Sequence, residues 1–421
     1  MEAFDPNEPV KLKIMFPNEN YFHQRFGSLL SMKYPNIEFE VIEPVAVNGV
    51  TTKEDRVQQV KEKQPDILLL SSPLYEEFVA NGSLMELESV IKQDNFDLSD
   101  IYPSVIDLLR EGGNGKLYGL APEFSADALF YNADLFRKYG VEMPTNRMSW
   151  DDVLQLARRF PAEGSEQERI YGYQTGIAQS VCDLILEVGN TLGLTPVSPD
   201  GRNLLIDSDR WRKVIESVLN AYQSDTLLVA KGTTTLELLQ SSIFQIENDP
   251  FLNGRVAMMK DGYNFYSKIE QGKRLIQNYR PFEWGVVTVP VDPENPDKTD
   301  AIFLSSIYAI NSKSSHQRAA WEVVKYINGE EVAKLESRLE HAQIPSRQAY
   351  AQAKPEFDVE PFFALKPAVK RWSDNQLPSG FNESFRALVT EELDLVCEGK
   401  KSLDEAISSI QTNGQLLLVH K

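Results

Sequence analysis

The chain is poor in the residues that build disulfide frameworks and metal sites. Its 421 residues include two cysteines, Cys182 and Cys397, and four scattered histidines. Two cysteines are too few for a disulfide framework, and neither has the spacing of a metal ligand. Each lies on an apolar face of a predicted helix, so we expect two buried free thiols. We expect no metal and no cofactor.

Long apolar runs and an excess of positive charge are also missing. No run of about 18 apolar residues occurs, so no membrane-spanning helix is predicted. Asp and Glu number 62 against 43 Lys and Arg, which gives a net charge of −19. This charge argues against binding to nucleic acid or to an anionic membrane, and favours a neutral or cationic ligand. The first nine residues have neither the charged nor the apolar region of a secretion signal.

Catalytic motifs are missing as well. The sequence has no His-Glu-x-x-His and no Gly-x-Ser-x-Gly motif. The stretch 112–116 resembles a phosphate-binding loop, but Arg110 replaces its first glycine and Leu117 its Ser or Thr. The acidic loop 292–297 lacks the calcium-ligand spacing of an EF-hand. We therefore expect no enzyme, although a pair of carboxylates that cleaves glycosides is not excluded among so many acidic residues.

The N-terminal third alternates strands and helices. Strands are predicted at Val10–Phe16, Ile37–Ile42 and Asp66–Leu70, and the last is a continuous apolar run typical of a buried parallel strand. This order predicts a doubly wound α/β unit, which binds ligands beyond the carboxyl ends of its strands. The polar residues that follow these ends are Asn18, Glu19 and Ser72.

A polar alternation marks the middle of the most informative stretch, 115–160. Pro122 interrupts one apolar segment, and a second begins at Ala128. Between them lie Glu123, Ser125 and Asp127, which share one side of an extended segment. These acceptor side chains are thus presented where the chain leaves one sheet and enters another, unless they are simply the solvated face of an edge strand.

The motifs around this alternation resemble a known family. The chain reads Gly-Lys-Leu-Tyr-Gly at 115–119, Tyr-Asn at 131–132, Leu-Phe at 135–136 and Ser-Trp-Asp at 149–151. In order and spacing these motifs are similar to those of the family 1 extracellular solute-binding proteins, two-lobed receptors that deliver sugars and other small molecules to ABC importers. One departure is visible, because the segment from Pro144 to Trp150 is longer than usual.

The resemblance implies an α/β, two-lobed periplasmic-binding-protein-like fold, in which each lobe is a sheet flanked by helices and several hinge crossings join the lobes. It places lobe one at 1–122 and 300–344, and lobe two at 123–299 and 345–421. It further implies a monomer outside the cytoplasm, in the periplasm or as a lipoprotein on the outer face of the membrane, with a secretion signal that precedes residue 1.

The resemblance also implies ligand-binding residues. In the family an aromatic residue that follows a glycine stacks on a sugar ring, and Tyr263 takes that place after Gly262. Phe265 and Tyr266 are reserves, Trp284 and Trp372 are further stacking candidates, and Arg338 is a hydrogen-bonding candidate. Packing of these aromatic residues beneath a loop is the competing interpretation. The complete candidate ligand-binding set is Asn18, Glu19, Ser72, Glu123, Ser125, Asp127, Tyr263, Phe265, Trp284, Arg338 and Trp372.

The function expected from this resemblance is capture of a carbohydrate, in particular an oligosaccharide, and its delivery to the membrane subunits of an ABC importer. Closure of a hinge around the ligand would be the mechanism. One alternative is the same fold with a non-sugar solute, such as a polyamine, peptide or sugar acid. The acidic residues Glu19, Glu123 and Asp127 would suit a polyamine. A saccharide-acting enzyme is the less favoured alternative.

Overall fold

The computed structural model describes residues 3–45, 53–165, 168–176, 179–229, 242–339, 343–351, 357–368, 377–378 and 380–419. The chain forms two compact units. The first unit comprises 1–125 and 302–353, and the second comprises 126–301 and 354–421. Each contains a sheet with helices, so the predicted α/β class is confirmed. The predicted lobe boundaries, 1–122 with 300–344 and 123–299 with 345–421, stay a prediction.

The strands of the described residues follow one another along both units. They are β1 Val10–Met15, β2 Ile37–Ile42, β3 Ile67–Leu70, β4 Gly119–Leu120, β5 Glu123–Asn132, β6 Tyr171–Gln174, β7 Leu227–Leu228, β8 Val256–Gly262, β9 Trp284–Thr288, β10 Lys298–Thr299, β11 Ile302–Phe303, β12 Ile307–Ile310, β13 Ile344–Pro345 and β14 Lys366–Pro367.

The helices fill most of the intervals between these strands. They are α1 Glu19–Phe22, α2 Ser28–Lys33, α3 Lys53–Lys63, α4 Ser72–Ala80, α5 Glu88–Gln93, α6 Pro103–Gly112, α7 Ala133–Tyr139, α8 Trp150–Ala157, α9 Val181–Thr191, α10 Asp209–Gln223, α11 Ser242–Glu247, α12 Phe265–Leu275, α13 Gln317–Ile327, α14 Glu330–Glu336, α15 Gln348–Ala351, α16 Phe381–Cys397 and α17 Leu403–Val419. A π-helical turn, His23–Gly27, joins α1 to α2, and a 3-10 turn covers Glu360–Phe362. No helix within these ranges combines the length and apolar character needed to cross a bilayer.

The sheet of the first unit has the strand order β2-β1-β3-β12-β4. Strands β1, β2 and β3 are parallel, as the continuous apolar run at Ile67–Leu70 predicts. Strand β12 is antiparallel to both β3 and β4, so β4 runs in the same direction as β1. The carboxyl ends of β1, β3 and β4 therefore lie at one edge of the sheet. This edge carries the polar residues that follow these strands.

The sheet of the second unit is built around β5. Strand β5 pairs antiparallel with β8 on one side and with β9 on the other. Strand β6 extends the sheet by pairing parallel with both β8 and β7. The register places Asp127 opposite Gly262 and Ala128 opposite Thr288. The first residues of β5 thus lie at the edge where β8 and β9 end.

The core of the second unit covers one face of this sheet. Leu129, Tyr173 and Met258 belong to a buried cluster that includes side chains of α8, α9, α10, α16 and α17. Helices α9 and α10 approach closely, because a Cβ atom added to Gly189 would lie 2.1 Å from the ring of Trp211. A residue without a side chain is required at this crossing.

The two cysteines are free, but only one is buried. Cys182 lies in the core on α9, as predicted. The prediction of a buried Cys397 is wrong, because this side chain is exposed at the last residue of α16. A helix turns by about 100° per residue. Cys397 therefore points about 120° away from the buried Phe385, and no further turn of α16 covers it.

Burial of Asp249 predicts that stability depends on pH. Its carboxylate accepts hydrogen bonds from the backbone N–H groups of Phe251 and Leu252, at 2.9 and 3.1 Å. Burial nevertheless raises the pKa of Asp249 to about 6, above its ordinary value of 3.8. The unfolded chain therefore loses this proton at lower pH than the folded chain does. As the pH rises from 4 to 7, the free energy of unfolding should fall by about 2 kcal/mol through this group.

The Asp249→Asn variant keeps an acceptor oxygen but cannot ionise. We expect it to match the native protein near pH 4 and to be more stable at pH 8, as measured by urea unfolding. Asp97→Asn is the control with the opposite sign, because a hydrogen bond from Ser99 lowers the pKa of the exposed Asp97. A stability difference between Asp249→Asn and the native protein that does not change with pH would contradict the expectation.

Candidate functional site

Three candidate residues at the sheet edge of the first unit have local contacts. Asn18 caps α1, since its side-chain oxygen accepts a hydrogen bond from the N–H of Tyr21 at 2.9 Å. The hydroxyl of Ser72 donates to the carbonyl of Leu304 at 2.9 Å. The side chain of Glu19 is 61% exposed. The structure places all three at the predicted edge, where Asn18 and Glu19 are exposed and Ser72 is half-buried.

An ion network lies at the same edge. The guanidinium of Arg25 donates to the carboxylate of Glu123 through Nη1 at 3.1 Å and Nη2 at 2.6 Å. Its Nε donates to Glu336 at 2.9 Å. The three side chains are only 10–15% exposed. Glu123 is thus a fixed, neutralised acceptor with part of its lone-pair capacity still available.

A tyrosine without a hydrogen-bond partner lies close to this network. The hydroxyl of Tyr308 on β12 is fully buried, and no hydrogen-bond partner reaches it among the described residues. Burial raises the pKa of Tyr308 far above its ordinary value, so the hydroxyl keeps its proton. It adds a donor to a cluster otherwise composed of one cation and two carboxylates.

The remaining candidates of the first unit lie apart from this network. The hydroxyl of Ser125 donates to the side-chain oxygen of Gln343 at 2.8 Å. Arg338 is exposed just beyond the end of α14. Sequence reasoning missed Gln343, and also Arg25, which stands between the apolar residues Phe22 and Phe26 on one short helical segment. The sequence feature that could have identified Arg25 is its position as a charged residue next to an apolar stripe of the helical segment.

A second ion cluster lies at the sheet edge of the second unit. The ammonium of Lys260 on β8 is 3.4 Å from the carboxylate of Asp127 on β5, and it also contacts the carboxylate of Glu187 on α9. Burial raises the pKa of both carboxyl groups. Burial alone would lower the pKa of Lys260, but Glu187 and Asp127 outweigh it, so the pKa lies above the ordinary value and the ammonium stays charged.

Aromatic side chains cluster on the other face of this sheet. Trp284 lies 5.2 Å from Phe357 and 5.9 Å from Phe130, measured between ring centroids. Tyr263 lies 5.4 Å from Phe362, and Tyr266 lies 5.2 Å from Phe357. Tyr263, Tyr266 and Trp284 are half-buried, so each keeps part of its ring surface accessible. We call these five residues, Tyr263, Tyr266, Trp284, Phe357 and Phe362, the aromatic cluster.

Phe265 does not suit the role predicted for it. It is fully buried on α12 and packs edge-on against Phe130, at 5.1 Å between centroids. The reason is helix phase, because the first turn of α12 directs Phe265 towards the sheet while Tyr266 stays half-buried. Phe265 supports the aromatic cluster from beneath. Trp372 lies outside the described residues.

Two of the stacking candidates lie at different ends of the sheet. The backbone N–H of Tyr263 donates to the carbonyl of Ala126 at 3.0 Å, so Tyr263 lies at the edge that carries Asp127. Trp284 pairs with Asn132 at the other end of β5. Six residue steps along β5, from Ala126 to Asn132, separate the two positions, which is about 20 Å. The backbones of Tyr263, Asp127 and Lys260 therefore lie towards the same end of the sheet, whereas the backbone of Trp284 lies at the other end.

This arrangement suits binding by hydrogen bonds and ring stacking. The described residues contain no group of three or more His, Cys, Asp or Glu side chains that could hold a metal ion. They do contain fixed carboxylates, a guanidinium and an ammonium at strand ends, and half-buried tyrosine rings on the other face of the second sheet. Such groups bind hydroxyl-rich molecules that have an apolar face.

Comparison with known proteins gives the family. The family model described as bacterial extracellular solute-binding protein matches residues 21–334. A Brucella abortus protein described as a binding protein is 24% identical over 266 residues, which are 62% of this chain and 58% of that protein. The chain thus matches less than two thirds of the length of that relative.

Two further relatives match over more of their length. The sn-glycerol-3-phosphate-binding periplasmic protein UgpB of Yersinia enterocolitica is 21% identical over 374 residues, 85% of this chain and 80% of its own. An ABC substrate-binding protein of Listeria monocytogenes, solved in complex with cycloalternan, has the same fold. Its TM-score is 0.63 at 19% identity, over 98% of this chain and 100% of the other.

The chain therefore belongs to the bacterial extracellular solute-binding protein family. The resemblance identified from the sequence is confirmed, and so is the predicted fold class. The family consists of solute-binding proteins and not of enzymes.

The Arg25 network yields a prediction about stability. The Arg25→Met variant leaves the carboxylates of Glu123 and Glu336 buried without their cation. We expect the free energy of unfolding to fall by about 3 kcal/mol, because unpaired buried charges are costly. Urea unfolding followed by circular dichroism measures this loss. The Arg25→Met, Glu123→Gln double variant should recover part of it.

Lys11→Met is the control, because Lys11 pairs with Glu38 and Glu40 on the exposed face of the sheet. Exposed ion pairs contribute little, so this variant should unfold as the native protein does. If Arg25→Met lost no more stability than Lys11→Met, the network would not be a stabilising element of the first unit.

Proposed function

We propose that this protein captures a neutral carbohydrate, in particular an oligosaccharide, and delivers it to the membrane subunits of an ABC importer. One observation carries the proposal. Tyr263 follows Gly262, the residue that pairs with Asp127 across the sheet, so a half-buried aromatic residue and a hydrogen-bond acceptor lie at the same end of the sheet. Stacking on a sugar face and acceptance from a sugar hydroxyl are the two interactions that such a pair provides.

The pairing of the acidic candidate residues with cations of the protein supports a neutral solute. The acidic residues Glu123 and Asp127 each have a cation of their own, in Arg25 and Lys260. A polyamine would have to compete with these side chains, and an anion would meet carboxylates at both edges. The cycloalternan complex of the Listeria relative is consistent with a saccharide ligand.

An anionic polyol is the second candidate. It is favoured by the glycerol-3-phosphate-binding relatives, which match over most of their length. Arg25 and Lys260 are the cations that a phosphate would use, and both already contact two carboxylates. The net charge of −19 also opposes an anion. Peptides and sugar acids are further alternatives, which binding titrations distinguish from a neutral saccharide. Cleavage of a saccharide is an alternative that needs a test for the product.

The proposed mechanism is closure of the two lobes around the solute. A solute that binds the closed state more tightly than the open state shifts the balance between them. We propose that the polar contacts come from Asn18, Glu19, Ser72, Glu123, Ser125, Asp127 and Arg338, and that Tyr263, Trp284 and Trp372 stack. Tyr266 replaces Phe265 in this set. The protein acts as a monomer outside the cytoplasm, held by a lipid anchor or free in the periplasm.

Titration with neutral oligosaccharides tests the proposal. Maltotriose, cellotriose and xylotriose are added to the native protein, with calorimetry, tryptophan emission and the melting temperature as readouts. We expect at least one of them to bind and Tyr263→Ala to weaken that binding by about tenfold, since one stacked ring contributes about 1 kcal/mol. Tyr279→Ala is the matched control, because Tyr279 lies beyond the other end of α12.

The outcome that contradicts the proposal is a protein that ignores all neutral saccharides yet binds sn-glycerol 3-phosphate or spermidine. Chromatography of the incubated saccharide checks the enzymatic alternative. A cleaved product would replace the proposed function by catalysis.

A further inference from the structure

Lys260 lies at the meeting point of three elements of the second unit. It projects from β8 towards Asp127 on β5 and Glu187 on α9. The side chains of Lys260 and Asp127 are each 22% exposed, and that of Glu187 is 14% exposed. The cluster is therefore largely buried but open to solvent at the strand end.

Among the described residues, Lys260 is the one group that neutralises Glu187 by direct contact. Both carboxylate oxygens of Glu187 are buried, and apart from the Lys260 ammonium no donor reaches them among the described residues. Asp261 and Asp300 add further negative charge around Asp127, while Lys268 lies 3.6 Å from Asp261. Without Lys260, these described residues would leave several carboxylates and one ammonium, on Lys268, around this position.

We propose that Lys260 determines the charge specificity of this site by excluding cationic solutes. Its own ammonium occupies the position between Asp127 and Glu187 that the ammonium of a solute would take. Asp127 is then left as a neutralised acceptor for a hydroxyl group. The inference rests on the proposed function in one respect, because it assumes that the solute binds at this edge of the sheet.

A gain of binding follows from removal of the side chain. Lys260→Ala takes away one ammonium and three stem carbons, and leaves the carboxylates of Asp127 and Glu187 without the cation between them. Two nearby carboxylates without a cation are unfavourable, so an aminoalkyl chain from solution should enter and restore the charge balance. Spermidine has this chemistry, and its binding can be measured whether or not the natural solute is known.

The test compares spermidine binding by the native protein and by Lys260→Ala at pH 8 and low salt, with calorimetry and the melting temperature as readouts. We expect the native protein to bind weakly or not at all. Lys260→Ala should bind at least about tenfold more tightly, and this gain should shrink as salt is added, because part of it is screened electrostatic attraction. The double variant Lys260→Ala, Glu187→Gln should lose the gain.

The matched control is Lys273→Ala, which changes the net charge equally but removes a surface pair with Glu270 on α12. It should bind spermidine no better than the native protein. If Lys260→Ala does not fold, as judged by circular dichroism, Lys260→Ser replaces it. The titration of the native protein with spermidine tests the inference even if neither variant folds.

Tight binding of spermidine by the native protein would overturn the inference. A folded Lys260→Ala variant without any gain would overturn it as well, and so would an equal gain in Lys273→Ala. These results are separate from the oligosaccharide titration. Failure of the native protein to bind any saccharide contradicts the proposed function, whereas the spermidine gain reports only on the role of Lys260.

Discussion

Strand β5 imposes the constraint on which the rest of the second unit depends. Its side chains alternate between two faces, and β8 and β9 fix its register from both sides. Leu129 therefore packs into the helix-covered core, while Phe130 supports the aromatic cluster on the opposite face. A slip of one residue would exchange these faces, so the hydrophobic pattern and the position of Asp127 are set together.

Strand β5 also carries one acidic residue of each of the two ion clusters. Glu123 and Asp127 lie four residues apart in the sequence of β5, and each is held by a cation from a different element. Pairing of this kind fixes the carboxylates as oriented acceptors and removes most of their net charge. Under the proposed function, recognition would depend on the directions of hydrogen bonds and on ring contact, which is how hydroxyl-rich molecules are distinguished.

Local features of the structure could be read from the sequence because their causes are local. The capping boxes of Ser149 with Asp152 and of Ser402 with Glu405 form between residues three apart. The parallel strand Ile67–Leu70 follows from its continuous apolar run. Motif order along the chain was sufficient to identify the family.

Contacts between distant residues could not be predicted in this way. Arg25 meets Glu123 across 98 residues and Glu336 across 311, and no spacing rule connects such positions. Lys260 and Glu187 were missed for the same reason. Phe265 and Cys397 show a different limit, since a small change in helix phase or in the end of a helix decides whether a side chain is buried.

The close crossing of α9 and α10 connects the interior of the second unit to its charged edge. Gly189 touches the ring of Trp211, and Glu187 stands only two residues earlier on the same helix. A larger residue at 189 would force α9 or the ring of Trp211 to shift, and Glu187 lies on the helix that would have to move in the first case. The absence of a side chain at Gly189 thus allows the close approach of α9 and α10, and the same helix α9 holds the Glu187 carboxylate against Lys260.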